Sequence, residues 1–148
     1  MASSRSVRDL SGAEWRTLLV ALPLLLGVRI ALLFLPFQLL LERVNAVRPP
    51  GGAPVDPGRV ERRIWAVRAV ASRLFPRRPC LPQALAALLV LRSAGRPAHL
   101  RIGVRTVRGD AIEAHAWVES EGSIVVGGAT APRRYASLEG YPMSASRR

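Results

Sequence analysis

Residues 17–41 constrain this chain most. They read TLLVALPLLLGV, then Arg29, then IALLFLPFQLLL. Joined, the stretch is long enough to cross a bilayer, which takes about 20 apolar residues. Three features oppose a clean span. Arg29 would sit near the midplane, at a cost of about 2.5–3.5 kcal/mol on insertion scales. Pro23 and Pro36 each interrupt a helix. Each apolar run alone has 12 residues, a length typical of a buried core helix. Arg5, Arg8 and Arg16 supply a charged leading region. No A-x-A-like cleavage site directly follows the apolar run, so it does not read as a signal peptide. The expectation is a pair of apolar helices, one from each run, packed against the rest of the chain. A span or re-entrant hairpin is the alternative, and a membrane contact through residues 17–41 stays open.

The chain has 148 residues, enough for one domain with its own core. One cysteine excludes an internal disulfide framework, and two histidines leave little for a zinc site. No metal or organic cofactor is indicated. The formal charge is +12, and every one of the 22 basic residues is arginine. Such a charge attracts acidic partners. A G+C-rich coding bias toward Arg, Ala, Gly and Pro is the simpler explanation. The arginines are scattered and aromatics are only 5%, so no nucleic-acid motif emerges.

Residues 48–58, RPPGGAPVDPG, hold four prolines and three glycines and read as a linker. They divide an apolar helical region, 1–47, from a domain at 59–148. Val60, Ile64, Val67, Ala71 and Leu74 then form one apolar helical stripe, with Trp65 expected to pack. Pro82 is tolerated only in a helix's first turn. Gln83 to Arg92 is a strong helix former, stopped by Gly95 and Pro97. Cys80 therefore sits at the N-terminal edge of a Leu/Ala-rich helix. Helix N–H groups there favour an anion, so a thiol gains thiolate character. Arg77 and Arg78 add positive potential. A lone cysteine is otherwise a small buried hydrophobe.

Residues 98–106 and 112–119 alternate as strands. Glu121-Gly122 signals a tight turn, and 123–128 reads as a third strand. A two-residue turn pairs Ser120 with Ser123 and Val118 with Val125, which sets His115 opposite Gly128 with Gly127 beside it. A cysteine at a helix start followed by a histidine on an antiparallel strand is the layout of papain-like nucleophilic catalysis. His99, at a strand start, reads as a solvated surface histidine. The fold expected is α+β and papain-like. Its nucleophile helix packs on a small antiparallel sheet, after an all-helical apolar N-terminal region.

The ordered runs Cys80-Leu-Pro-Gln-Ala-Leu, Arg92-Ser-Ala-Gly-Arg-Pro-Ala98, Ile102-Gly-Val-Arg105 and Ala114-His-Ala-Trp-Val-Glu119 closely resemble one family. It is the lasso peptide maturation leader peptidases, transglutaminase-like cysteine proteases. The resemblance covers about residues 60–139. It implies removal of the leader from a ribosomal precursor peptide before a separate cyclase closes the ring. It implies Cys80 as nucleophile and His115 as general base. The partners it implies are the precursor peptide, a separate leader-recognition protein and the lasso cyclase. Localisation would be cytoplasmic, with peripheral membrane association as a variant. The family prototype carries an aspartate twelve residues after the histidine. That position here is Gly127. Either a backbone carbonyl or another acid then orients the imidazole, with Asp110, Glu113 and Glu119 as candidates, or the enzyme works as a dyad. Two other classes stay open: transglutaminase-like acyl transfer to an amine, and a non-catalytic, membrane-associated binding protein that retains the fold.

Overall fold

The computed structural model describes residues 11–49, 51, 55–74, 80–108 and 111–138. Four helices come first: α1 (Gly12–Phe34), α2 (Phe37–Ala46), α3 (Pro57–Leu74) and α4 (Cys80–Ser93). Strands β1 (His99–Thr106), β2 (Ile112–Ser120) and β3 (Ser123–Val126) follow, then the short α5 (Ala131–Arg134) and β4 (Ala136–Ser137). The sheet is antiparallel with order β3-β2-β1-β4. The α+β architecture expected from the sequence is the one observed, with the helix that Cys80 opens packed on a small antiparallel sheet after apolar N-terminal helices.

The apolar N-terminal stretch breaks elsewhere than expected. α1 runs unbroken through Pro23 and Arg29 and stops at Leu35-Pro36. An arginine forms helix readily. A proline instead drives the residue before it out of the helical region, and Leu35 is extended at φ −112° and ψ 142°. Pro23 lies on the exposed side of α1 beside Leu19. Water there can serve the Leu19 carbonyl that the missing N–H leaves without its helical donor. Ser11 and Glu14 close the helix start reciprocally: the Glu14 N–H donates to Ser11 Oγ and the Ser11 N–H to the Glu14 carboxylate.

α3 begins at Pro57, inside the Pro/Gly-rich stretch. Pro57 takes the first helical position, where no N–H is needed. The Asp56 carboxylate accepts the Arg59 N–H at 2.9 Å as the cap. Val60, Ile64, Val67 and Ala71 are buried as the stripe predicted. Trp65 is not: it is 38% exposed, because it sits on the α3 face opposite that stripe.

α4 is the centre of the molecule. Ala84, Leu85, Ala86, Ala87 and Leu88 are all fully buried. Five consecutive buried residues face every direction around a helix, so α4 must be covered on all sides. α1, α2 and α3 cover it from one side and β1, β2 and β3 from the other. Its end is fixed by Gly95 at φ 76° and by the Arg96 N–H donating to the Leu91 carbonyl. Arg92 then donates to the Ala98 carbonyl at 2.9 Å, and buried Ser120 donates to the Pro97 carbonyl at 2.7 Å. Those two bonds tie the helix end to the sheet.

Leu85→Ala should cost about 3–5 kcal/mol, since a site covered on every side cannot collapse around the lost volume. Chemical denaturation of the two proteins measures it.

Candidate active site around Cys80 and His115

Cys80 is the first residue of α4, half-buried and packed against the core. The first N–H groups of a helix have no partner within it. The thiol therefore stands at the end of α4 where a developing negative charge is favoured. Arg77 and Arg78 lie outside the described residues. α4 packs directly on β2, the strand that carries His115.

The register between β2 and β3 differs from the simple hairpin. Glu121 (φ 51°) and Gly122 (φ 77°) form the tight turn, and Ser120 pairs with Ser123 as expected. Val118, however, pairs with Val126 and not Val125. A bulge sits between Val118 and Glu119, so one extra β3 residue is accommodated. The bulge sets Val126, 3% exposed, against fully buried Val118. β3 ends there, two residues earlier than predicted, because Gly127 and Gly128 turn away at φ 109° and 91°.

Gly127 still lies beside His115, as the hairpin spacing predicts. The imidazole Nε2 lies 2.7 Å from the Gly127 carbonyl oxygen. A carbonyl oxygen only accepts, so Nε2 carries the proton and donates it. In the neutral ring Nδ1 is then the atom left to take a proton. The backbone of Gly127 thus fixes the tautomer, a task usually given to a side chain. No side chain fits at that position. A Cβ on Gly127 would collide with the Trp117 Cβ and stand 2.7 Å from its Cα. The φ of 109° is strained for any L-residue.

Two aromatic rings hold the imidazole. Tyr135 stacks on it with centroids 5.0 Å apart, and Trp117 with centroids 6.4 Å apart. Each ring is anchored by a carboxylate. The Tyr135 hydroxyl donates to Glu113 at 2.7 Å, and the Trp117 indole N–H donates to Glu119 at 2.9 Å. Each carboxylate is in turn gripped by an arginine of β1, Arg105 on Glu113 and Arg101 on Glu119. Gly103 lies between those arginines, directly across from His115. A Cβ there would meet the Tyr135 Cβ at 2.8 Å and the end of the Trp117 ring at 3.0 Å. Gly103 is bare so that both rings can reach the histidine.

The acidic candidates are therefore occupied. Glu113 is held below the usual carboxylate range by the Tyr135 hydroxyl first and Arg105 second. Glu119 is held down by the Trp117 N–H and then Arg101. Tyr135 is raised, chiefly by its bond to Glu113. Asp110 lies outside the described residues. His99 is exposed at the start of β1 and lines a shallow cavity of about 320 Å³ with Glu119 and Glu121. No group of three His, Cys, Asp or Glu side chains gathers to hold a metal among the described residues. Tyr135 was missed in the sequence because it follows a four-residue helix and precedes a two-residue strand, neither long enough to show a period. Gly103 was visible only as part of a motif.

Gly127→Ala and Gly127→Asp should each destabilise the fold by about 3 kcal/mol, through strain and overpacking against Trp117. Thermal unfolding measures this. A depressed carboxylate stabilises the fold above its unfolded value, near ~4.3, and loses that contribution as pH falls through its folded value. Glu113→Gln should remove this acid-side slope, and denaturant midpoints measured from neutral to acidic pH follow it. The same variant removes the main cause of the raised Tyr135 ionisation, which should fall back toward its ordinary value in an ultraviolet titration at alkaline pH.

The model for the transglutaminase-like superfamily matches residues 24–139. That match begins inside α1 and takes in the second half of that helix and α2 as well as the helix and sheet that carry Cys80 and His115. No curated protein and no solved structure matches the chain. With a cysteine opening the central helix and a histidine on the strand beside it, this chain belongs to the transglutaminase-like superfamily.

Proposed function

We propose that this protein is a cysteine protease that cuts the leader from a ribosomal lasso-peptide precursor, with Cys80 as nucleophile and His115 as base. The observation that carries the catalytic part is the His115–Gly127 hydrogen bond. It leaves Nδ1 as the proton acceptor, on a strand packed against the helix that Cys80 opens. The substrate class rests on the ordered motifs around Cys80, Gly95, Gly103 and His115. The partners in this reading are the precursor, a separate leader-recognition protein and the cyclase. The reaction places it in the cytoplasm.

The chemistry follows from these groups. Nδ1 takes the thiol proton and the sulfur attacks the scissile carbonyl carbon. The carbonyl oxygen becomes an oxyanion at the start of α4, where the Cys80 N–H supplies one donor, worth about 3 kcal/mol of barrier. The C–N bond breaks, and His115 returns the proton to the leaving amine. A thioester links Cys80 to the leader. Water attacks it, His115 takes a proton from that water, and the leader leaves as a carboxylic acid with the thiol restored. The imidazolium formed midway keeps its Nε2 bond to Gly127. Its charge is stabilised by a carbonyl dipole where a triad would place a full negative charge.

Cys80→Ala should abolish cleavage of the precursor in the presence of the recognition protein, with the fold intact. His115→Ala should lose a similar factor, since members of one catalytic unit are strongly non-additive. His99→Ala should cleave normally. Mass spectrometry of the precursor reads all three, and normal cleavage by the Cys80→Ala protein would overturn the protease reading. Offering amines against water to the trapped acyl-enzyme separates hydrolysis from acyl transfer.

A further inference from the structure

We infer that the outer face of α1 lies flat on an anionic membrane surface without crossing it. α1 has 23 residues and a mean hydropathy of 2.4 in its most apolar window, yet only 17% of that window is buried. Its inner residues Ala21, Leu25 and Val28 are buried in the shared core. Its outer residues are as apolar. Trp15, Leu19, Leu26, Ile30 and Leu33 recur along one side, and Phe34 ends it, with Leu19, Leu33 and Phe34 exposed by 63%, 75% and 80%. A soluble surface helix carries polar residues on that side. A contiguous exposed apolar strip marks an interaction face.

Packing excludes a span. α1 packs on α3 and α4, and lifting it into a bilayer would uncover the apolar faces of both, Val67 and Val90 among them. Area argues against a second copy as the occupant. A helix this long measures about 35 Å, and a strip roughly 10 Å wide gives about 350 Å², well short of the ~800 Å² per partner of a stable interface. A membrane needs no matching surface, only apolar depth and charge. Charge is supplied with the right sign. Arg16 is exposed on α1, and Arg63 lines an apolar groove of about 310 Å³ beside Val20 and Leu24. The exposed side of α3 presents Arg62 and Arg68, together with Glu61, around Trp65. Trp15 and Arg16 at the start of the apolar face match the composition of an interfacial helix, and the chain's excess of basic residues favours anionic lipid.

The test is sedimentation of the purified full chain with vesicles of phosphatidylcholine alone and of phosphatidylcholine with phosphatidylglycerol. Binding should be strong only with the anionic lipid, weaken with added salt, and blue-shift tryptophan emission. Leu26→Glu/Ile30→Glu should reduce binding by at least about tenfold, with an unchanged circular dichroism spectrum. Alkaline carbonate should release the protein from the vesicles. Absence of binding, equal binding to neutral vesicles, retention by the variant, or resistance to carbonate would each overturn the inference. So would a dimer in light scattering that the same variant dissolves.

Discussion

A helix buried on every side needs neighbours on every side, and α4 imposes that requirement on the whole chain. Ala84 to Leu88 are inaccessible around the full turn. The sheet can cover one side only, through Ala116, Val118 and Val126. The remaining sides fall to α1, α2 and α3. The apolar N-terminal helices are therefore structural walls of the domain, consistent with a family match that begins at residue 24. The same burial fixes the direction of α4 and hence the place where its first residue, Cys80, emerges.

The site is built by main chain and rings more than by charges. His115 receives orientation from the Gly127 carbonyl and from two stacked aromatics. The acidic residues act one step removed, holding the rings in place. Two glycines make this arrangement sterically feasible. Gly103 leaves room for the rings, and Gly127 lets the backbone come within reach of Nε2. Arg101, Arg105, Glu113 and Glu119 then form two parallel braces across β1 and β2. Half-exposed ion pairs of this kind add little stability. Their effect here is on position.

Much of this was legible in the sequence, and for reasons that name their own limits. The α4 boundaries were readable because Pro82 and Gly95 have local, steric meanings. The hairpin turn was readable because Glu121-Gly122 selects a tight turn. The buried stripe of α3 followed from period alone. The bulge at Val118 was not readable. Val125 and Val126 are chemically identical, and which one faces inward is decided by packing against α4. Gly127 beside His115 was readable all the same, because the tight turn fixes roughly how far along β3 the histidine looks. The continuity of α1 through Arg29 was missed because a charge that disfavours a membrane was read as a break, which only Pro36 supplies. The pair of rings was hidden because Tyr135 comes from a segment too short to carry a pattern.

The bulge also constrains how such a site can change. A carboxylate at position 127 needs a strand that stays extended past Val126 and points its side chain at the imidazole. Here the chain has already turned at Gly127 into a conformation open to glycine, with Trp117 filling the space beyond. An acid could enter only after a residue had been removed from β3. Within the present hairpin length, the backbone-oriented histidine is locked in by geometry, and substitution alone cannot convert it to an acid-oriented one.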